Sequence, residues 1–244
     1  MKILITPAKE MKLENSQNYN NDLIFKNETI EIINSLKSYS KDELKKEFKL
    51  NDKIAEKSYK EWQTINHNKK SNAIFTFNGL MYRNMNLKEL FPSQLNYIDN
   101  TVRIISPLYG LIKPFDGIAL HRLDFSKNIT LKSNIKLIDF WKEKISSYLL
   151  EEDSLFLNLL SDEFLKVLDK DVIKKSLFVK FMINRDNDLK IHSTTSKKGR
   201  GQLINYMSKN NVEDIEEVKS FNYDGFNFNK ELSTANKLIF IKNN

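Results

Sequence analysis

A chain of 244 residues, 40% of them hydrophobic and 29% charged, is long enough to bury a sizeable core and too apolar to remain disordered. Its formal net charge of +7 favours a polyanionic partner, although a lysine-rich surface from a biased genome accounts for it equally well. With no cysteine, the chain lacks disulfides, thiolate catalysis and cysteine-ligated metal; with no long apolar run it lacks a membrane-spanning segment, and a soluble, cytoplasmic protein is expected.

Taken in chain order, Lys2 to Thr6 predicts a short buried strand stopped by Pro7, and residues 10–27 a polar loop. From Asn27 the spacing of Ile30, Ile33 and Leu36 predicts a helix. Ser40 caps a second helix with Glu43 at the capping-box position; Leu50-Asn51-Asp52 interrupts it, and a third helix runs from Lys53 to Trp62. Residues 40–63 therefore read as helix, tight hairpin, helix, with Asn51 available for a left-handed turn residue.

Ala73 to Phe77 reads as a strand and Asn78-Gly79 as a turn. Val102 to Ser106 is a β-branched run that ends in two successive turns, Pro107-Leu108-Tyr109-Gly110 and Lys113-Pro114-Phe115-Asp116-Gly117. Leu137 to Leu150 is an amphipathic helix and Ser154 to Leu159 a strand. Ser161 then caps a helix whose first turn carries Asp162 and Glu163. Leu177 to Ile183 and Leu189 to Thr195 flank a polar hairpin loop at Asn184-Arg185-Asp186-Asn187-Asp188; Gln202 to Lys209 is a helix and Lys237 to Ile241 a last strand. The interspersed elements predict a mixed α/β (α+β) fold, one compact domain over residues 1–244 with a mixed sheet and flanking helices.

Ser196-Lys197-Lys198-Gly199-Arg200-Gly201 lies between a predicted strand and a predicted helix. Its glycines permit positive φ and close approach to a ligand, while the helix offers unpaired N–H groups. With Lys197, Lys198 and Arg200 this suits a phosphate or carboxylate; a solvated basic turn is the plainer reading. Ile204 at the third glycine position removes the dinucleotide fingerprint, and no Walker pattern is present. Ser106 to Asp124 packs two Pro/Gly turns, Tyr109, Lys113, Asp116, His121, Arg122 and Asp124 into a short span, either a site or a structural double turn with Tyr109 in the core. Lys9 falls just beyond a strand's carboxyl end, where open α/β sheets bind ligands. Lys45, Lys46, Lys49, Lys53 and Lys57 flank the hairpin, which either binds DNA phosphates or is a lysine-rich surface. His67, His121 and His192 have no metal-binding spacing, so no metal site is expected, iron held by carboxylates being the remaining alternative, and without a glycine-rich or Walker pattern no cofactor is expected.

ITPAK at the start, FNGLMY at 77–82, SPLYGLIKPFD at 106–116, HRLDF at 121–125, DFW at 139–141, NLLSDEF at 158–164, SKKGRG at 196–201 and FNYDGF at 221–226 follow one another in a fixed order. This series resembles the YaaA family of bacterial peroxide-stress proteins over nearly the whole chain. The resemblance implies a positively charged cleft, a helix-hairpin-helix element, DNA binding, and a role in limiting iron and oxidative DNA damage. By position it implies Lys9, Tyr109, Lys113, Arg122, Lys197, Lys198 and Arg200 in the cleft, and Lys49, Asn51, Asp52 and Lys53 at the hairpin. The chain departs from the family pattern at Pro107, Lys113, Leu120-His121, Gly199 and Phe164, which bears on ligand detail.

Two functions of different class follow. One is a monomeric, largely sequence-independent DNA binder, acting on duplex or branched DNA. The other is an enzyme acting on a small anionic ligand that bears phosphate or carboxylate, for which Lys9 or Tyr109 is the proton carrier.

Overall fold

The computed structural model describes residues 1–14, 18–65, 68–125, 129–152, 154–185 and 188–243. The chain opens with β1 (Lys2–Ile5) and continues through α1 (Lys26–Lys37), α2 (Lys41–Glu47) and α3 (Asp52–Thr64). Strand β2 (Lys70–Asn72) runs directly into α4 (Ala73–Thr76), followed by α5 (Leu80–Arg83) and α6 (Pro92–Thr101). Then come β3 (Val102–Ser106), β4 (Gly110–Ile112), β5 (Gly117–Ala119), α7 (Leu137–Glu151), β6 (Phe156–Asn158), α8 (Asp162–Leu165) and α9 (Lys170–Lys174). The last elements are β7 (Ser176–Arg185), β8 (Asp188–Lys190), α10 (Ser193–Asn210), α11 (Ile215–Lys219), β9 (Phe226–Phe228) and β10 (Lys237–Asn243).

One mixed sheet has the order β4-β3-β1-β6-β7-β10-β9, with β8 also paired to β7. Its heart, β3, β1, β6, β7 and β10, is parallel, and β4, β8 and β9 are antiparallel additions. Parallel strands are covered on both faces and read as continuous apolar runs. Ile3, Leu4 and Ile5 are accordingly buried, as is every residue of β3. Strand β7 is the spine: Ser176–Phe178 pairs with β6, Ile183–Arg185 with β8, and β10 lies along its other side. Strands β2 and β5 form a separate antiparallel pair. The fold is thus the expected single mixed α/β domain.

From β1 the chain passes to β3 on one side, and from β6 to β7 on the other. Adjacent parallel strands whose outgoing connections diverge leave a crevice beyond their carboxyl ends. That crevice lies after Ile5 and Asn158.

Several local expectations are corrected. Residues 73–76 are helical, not a strand: Ala73 and Ile74 N–H groups donate to the Asp116 and Pro114 carbonyls (2.9 Å each), and the Thr76 hydroxyl donates back to the Asn72 carbonyl. The strand expected to reach Thr195 stops at Lys190, and Ser196 already donates to the His192 carbonyl, so α10 begins at Ser193. Ser196 to Gly201 is therefore helix and not a loop. Its glycines serve packing: a Cβ on Gly199 would strike the Phe181 ring, and one on Gly201 would strike the Met81 carbonyl oxygen. In the α2–α3 connection Lys49, not Asn51, takes the left-handed conformation (φ 50°), while Asn51 caps α3 by accepting from the Ile54 N–H. The capping box of Ser40 and Glu43 is present as expected. Asp186 and Asn187 of the hairpin loop, and His67, lie outside the described residues.

Candidate functional site

The crevice holds a cleft of about 420 Å³, in the size range of small-ligand sites. Its floor is the segment after β1, Thr6 to Met11. The Tyr82 hydroxyl donates to the Thr6 carbonyl at 2.8 Å, and the Asn78 N–H donates to the Glu10 carbonyl at 2.9 Å. Gly79 lies so close to Ala8 that a side chain there would collide with it. Helix α5 thereby clamps the floor. The segment after β6 supplies Ser161, Glu163 and Phe164, α10 supplies Thr194, Lys197 and Arg200, and the segment after β5 supplies His121, Arg122, Leu123 and Asp124.

Lys9, Arg122, Lys197 and Arg200, four of the seven expected cleft residues, line this one space. Three others do not. Tyr109 is buried behind it, accepting the Ala119 N–H at 3.0 Å and standing edge-on to His121. Lys113 is half-buried in the turn after β4, and its charge is felt by Lys2, at the start of β1. Lys198 is exposed and acts electrostatically on Asp224.

The cleft is not purely basic. Five cations, the four above and Arg83, face three carboxylates, Glu10, Asp124 and Glu163. Lys9 pairs with Asp124 at 3.5 Å and Arg83 with Glu10 at 3.0 Å. Arg200 is different: burial lowers its pKa, the Asp162 carboxylate opposes that, and its Nε has no hydrogen-bond partner among the described residues. The Glu163 Oε1 is likewise buried and unpartnered. Sequence reasoning took Glu163 for an ordinary helix-start acid, because nothing local says that α8 begins at the crevice.

His121 is buried, and burial lowers its pKa to about 4. Its Nδ1 lies 2.9 Å from the Ala119 carbonyl, which only accepts; Nδ1 therefore donates, and in the neutral ring Nε2 keeps the lone pair. Tyr109 is pushed up to about 12 by burial, so it is a poor proton carrier near neutrality. Among the described residues no group of three or more His, Asp or Glu could hold a metal ion.

The turn between α2 and α3 adjoins the cleft. A depression lined by Lys49, Leu50, Asn51 and Ser58 also has Arg122 and Asp124 in its wall, and these two residues belong to both spaces. The hairpin is less basic than its lysines suggest. Residues 40–63 hold seven lysines and six carboxylates. Lys45 pairs with Asp52, Lys41 and Lys60 with Glu56, and Lys57 with Glu61. Lys46, Lys49 and Lys53 are the hairpin lysines without such a partner among the described residues.

An open, mostly parallel α/β sheet with a charged cleft at its switch point defines the general class, a single-domain mixed α/β protein. The chain belongs to the family described as peroxide stress protein YaaA, which it matches over residues 1–232. Similar proteins include a UPF0246 protein of Finegoldia magna, 37% identical over 99% of this chain and 98% of that one. UPF0246 proteins of Clostridioides difficile (32% identical, covering 99% of this chain and 100% of that one) and Streptococcus agalactiae (35%, 99% and 98%) are also similar. No helix among the described residues is long and apolar enough to cross a membrane.

Proposed function

We propose that the protein serves peroxide stress by binding DNA through its phosphate backbone, and so limits iron-driven damage to it. The observation that carries this reading is the convergence of Lys9, Arg122, Lys197 and Arg200, far apart in sequence, on one cleft contiguous with the α2–α3 turn. Phosphates meet the cleft cations, and Lys46, Lys49 and Lys53, which have no ion-pair partner among the described residues, extend the track. Such contacts position a duplex and carry no base information. The test is a gel shift with the full chain on fully paired and four-way branched DNA at low salt. Retardation that is lost as salt rises is the expected result; no retardation, or a flat salt response, overturns the reading.

The desolvated Arg200 and the cleft's modest volume favour a second reading, an enzyme for a small phosphate- or carboxylate-bearing substrate. Arg200 would hold the anion, and the neutral His121 would be the base. A thermal-shift screen of phosphorylated metabolites that stabilises nothing argues against it.

A further inference from the structure

The backbone of DNA offers hydrogen-bond acceptors and negative charge, but no N–H or O–H donor within the strand. A surface evolved for backbone alone gains nothing from a carboxylate and loses binding to repulsion. Yet Glu163 stands in the cleft wall with Oε1 buried and without a partner among the described residues, in a lining that also holds cations suited to phosphate. Leaving a carboxylate oxygen desolvated and unpaired is costly, so the arrangement asks for a ligand that brings a donor as well as an anion. Arg200, which lines the same cleft, has an Nε without a partner among the described residues and asks for an acceptor. A nucleobase edge presents both, through amino or ring N–H donors and through ring-nitrogen or carbonyl acceptors. In a paired duplex the Watson–Crick edge is already occupied; in an unpaired nucleotide it is free, and such a nucleotide costs least to draw out of the stack. Phe164, Leu80, Met81 and Leu123 add apolar stretches to the lining, which give the base faces something to lie against.

We propose that the cleft admits one unpaired nucleotide, its base edge read by Glu163 and Arg200 and its phosphate held by Lys197, Arg122 and Lys9. This rests on the DNA-binding reading for its source but not for its chemistry, since a free nucleotide offers the same groups. It makes the site a reader of unpaired positions within otherwise sequence-independent binding.

The experiment compares three duplexes of equal length by fluorescence anisotropy with the full chain: fully paired, carrying one unpaired adenine, and carrying one unpaired abasic sugar. Both altered duplexes carry one extra, unpaired sugar-phosphate, but only adenine brings donors and a base face. The unpaired adenine is expected to tighten binding about tenfold over the abasic duplex, in keeping with one good base-edge pair. In Glu163→Leu, which removes the acceptor without leaving an unpaired charge, that ratio falls to within about twofold. Because the ratio is read inside each protein, and first in the unaltered chain, a poorly folded variant does not decide the result. Equal binding of adenine and abasic duplexes, with paired duplex still bound, overturns this inference and leaves the backbone reading standing. Failure to bind any of the three overturns the polynucleotide source. Thermal stabilisation by deoxyadenosine monophosphate alone then assigns the site to a free nucleotide, and its absence overturns the proposal altogether.

Discussion

Asp116 shows how a single buried group sets a pH response. Its carboxylate accepts the Lys113 N–H at 2.8 Å and the Asn20 amide at 3.2 Å, yet burial outweighs these bonds and raises its pKa to about 6. A folded-state pKa above the unfolded value means that the native state holds the proton more tightly. The stabilisation is full below about pH 4 and is lost as pH rises through about 6. His121 works in the other direction. Its pKa of about 4 lies below the unfolded value, so its stabilisation is full above about pH 6.5 and fades as pH falls through 4. Melting temperature measured from pH 4 to 8 should therefore lose its Asp116 component in Asp116→Asn, with the wild-type-minus-variant difference falling between pH 4 and 6. Arg200 and Lys198 separate function by position. Arg200→Ala is expected to weaken DNA binding by at least about tenfold, the loss of a charge-assisted bond. Lys198→Ala, exposed and outside the cleft, is expected to stay within about twofold; both are read by anisotropy at one fixed salt.

At the scale of elements, α10 carries the main lesson. Glycine inside a helix costs about 1 kcal/mol relative to alanine, so SKKGRG reads locally as a loop. Packing reverses that preference, because α10 presses Gly199 onto Phe181 of β7 and Gly201 onto the backbone of α5. Gly201→Ala should therefore destabilise despite its better propensity, by about 1–3 kcal/mol in urea unfolding, since a backbone carbonyl has nowhere to go. Ser40→Ala should cost about 1 kcal/mol by loss of the capping box, in the same measurement. The contrast explains what the sequence revealed. The Ser40–Glu43 cap and the β-branched run of β3 are local signals and were legible. Residues 73–76 carry strand-like side chains but are bent into a helical turn by distant acceptors, the Pro114 and Asp116 carbonyls. Lys9, Arg122, Lys197 and Arg200 could be picked out by residue type and motif, whereas Glu163 could not, because only the sheet order brings α8 to the crevice.

For the whole molecule, the distribution of ion pairs matters more than the net charge of +7. Much of the hairpin's charge is answered by its own carboxylates, and exposed pairs of this kind contribute little to stability. The salt dependence of DNA binding counts the cations that remain. If only Lys9, Arg122, Lys197 and Arg200 meet phosphates, the slope of log K against log salt should be about −3.6; engagement of Lys46, Lys49 and Lys53 as well should bring it to about −6.3. The triple replacement of those three lysines by alanine should return the steeper value to the shallower one. A slope steeper than both would bring cations beyond these seven into the contact.

The cleft is gathered from five separate stretches of chain, from Thr6 near the beginning to Arg200 far along it. During synthesis its floor emerges early and Arg200 among the last of its walls. A nascent or nicked chain would carry much of the charge and none of the grip. Under the proposed function, holding DNA would then certify completion: an unfinished molecule would be attracted to a polyanion, and the finished one would keep it.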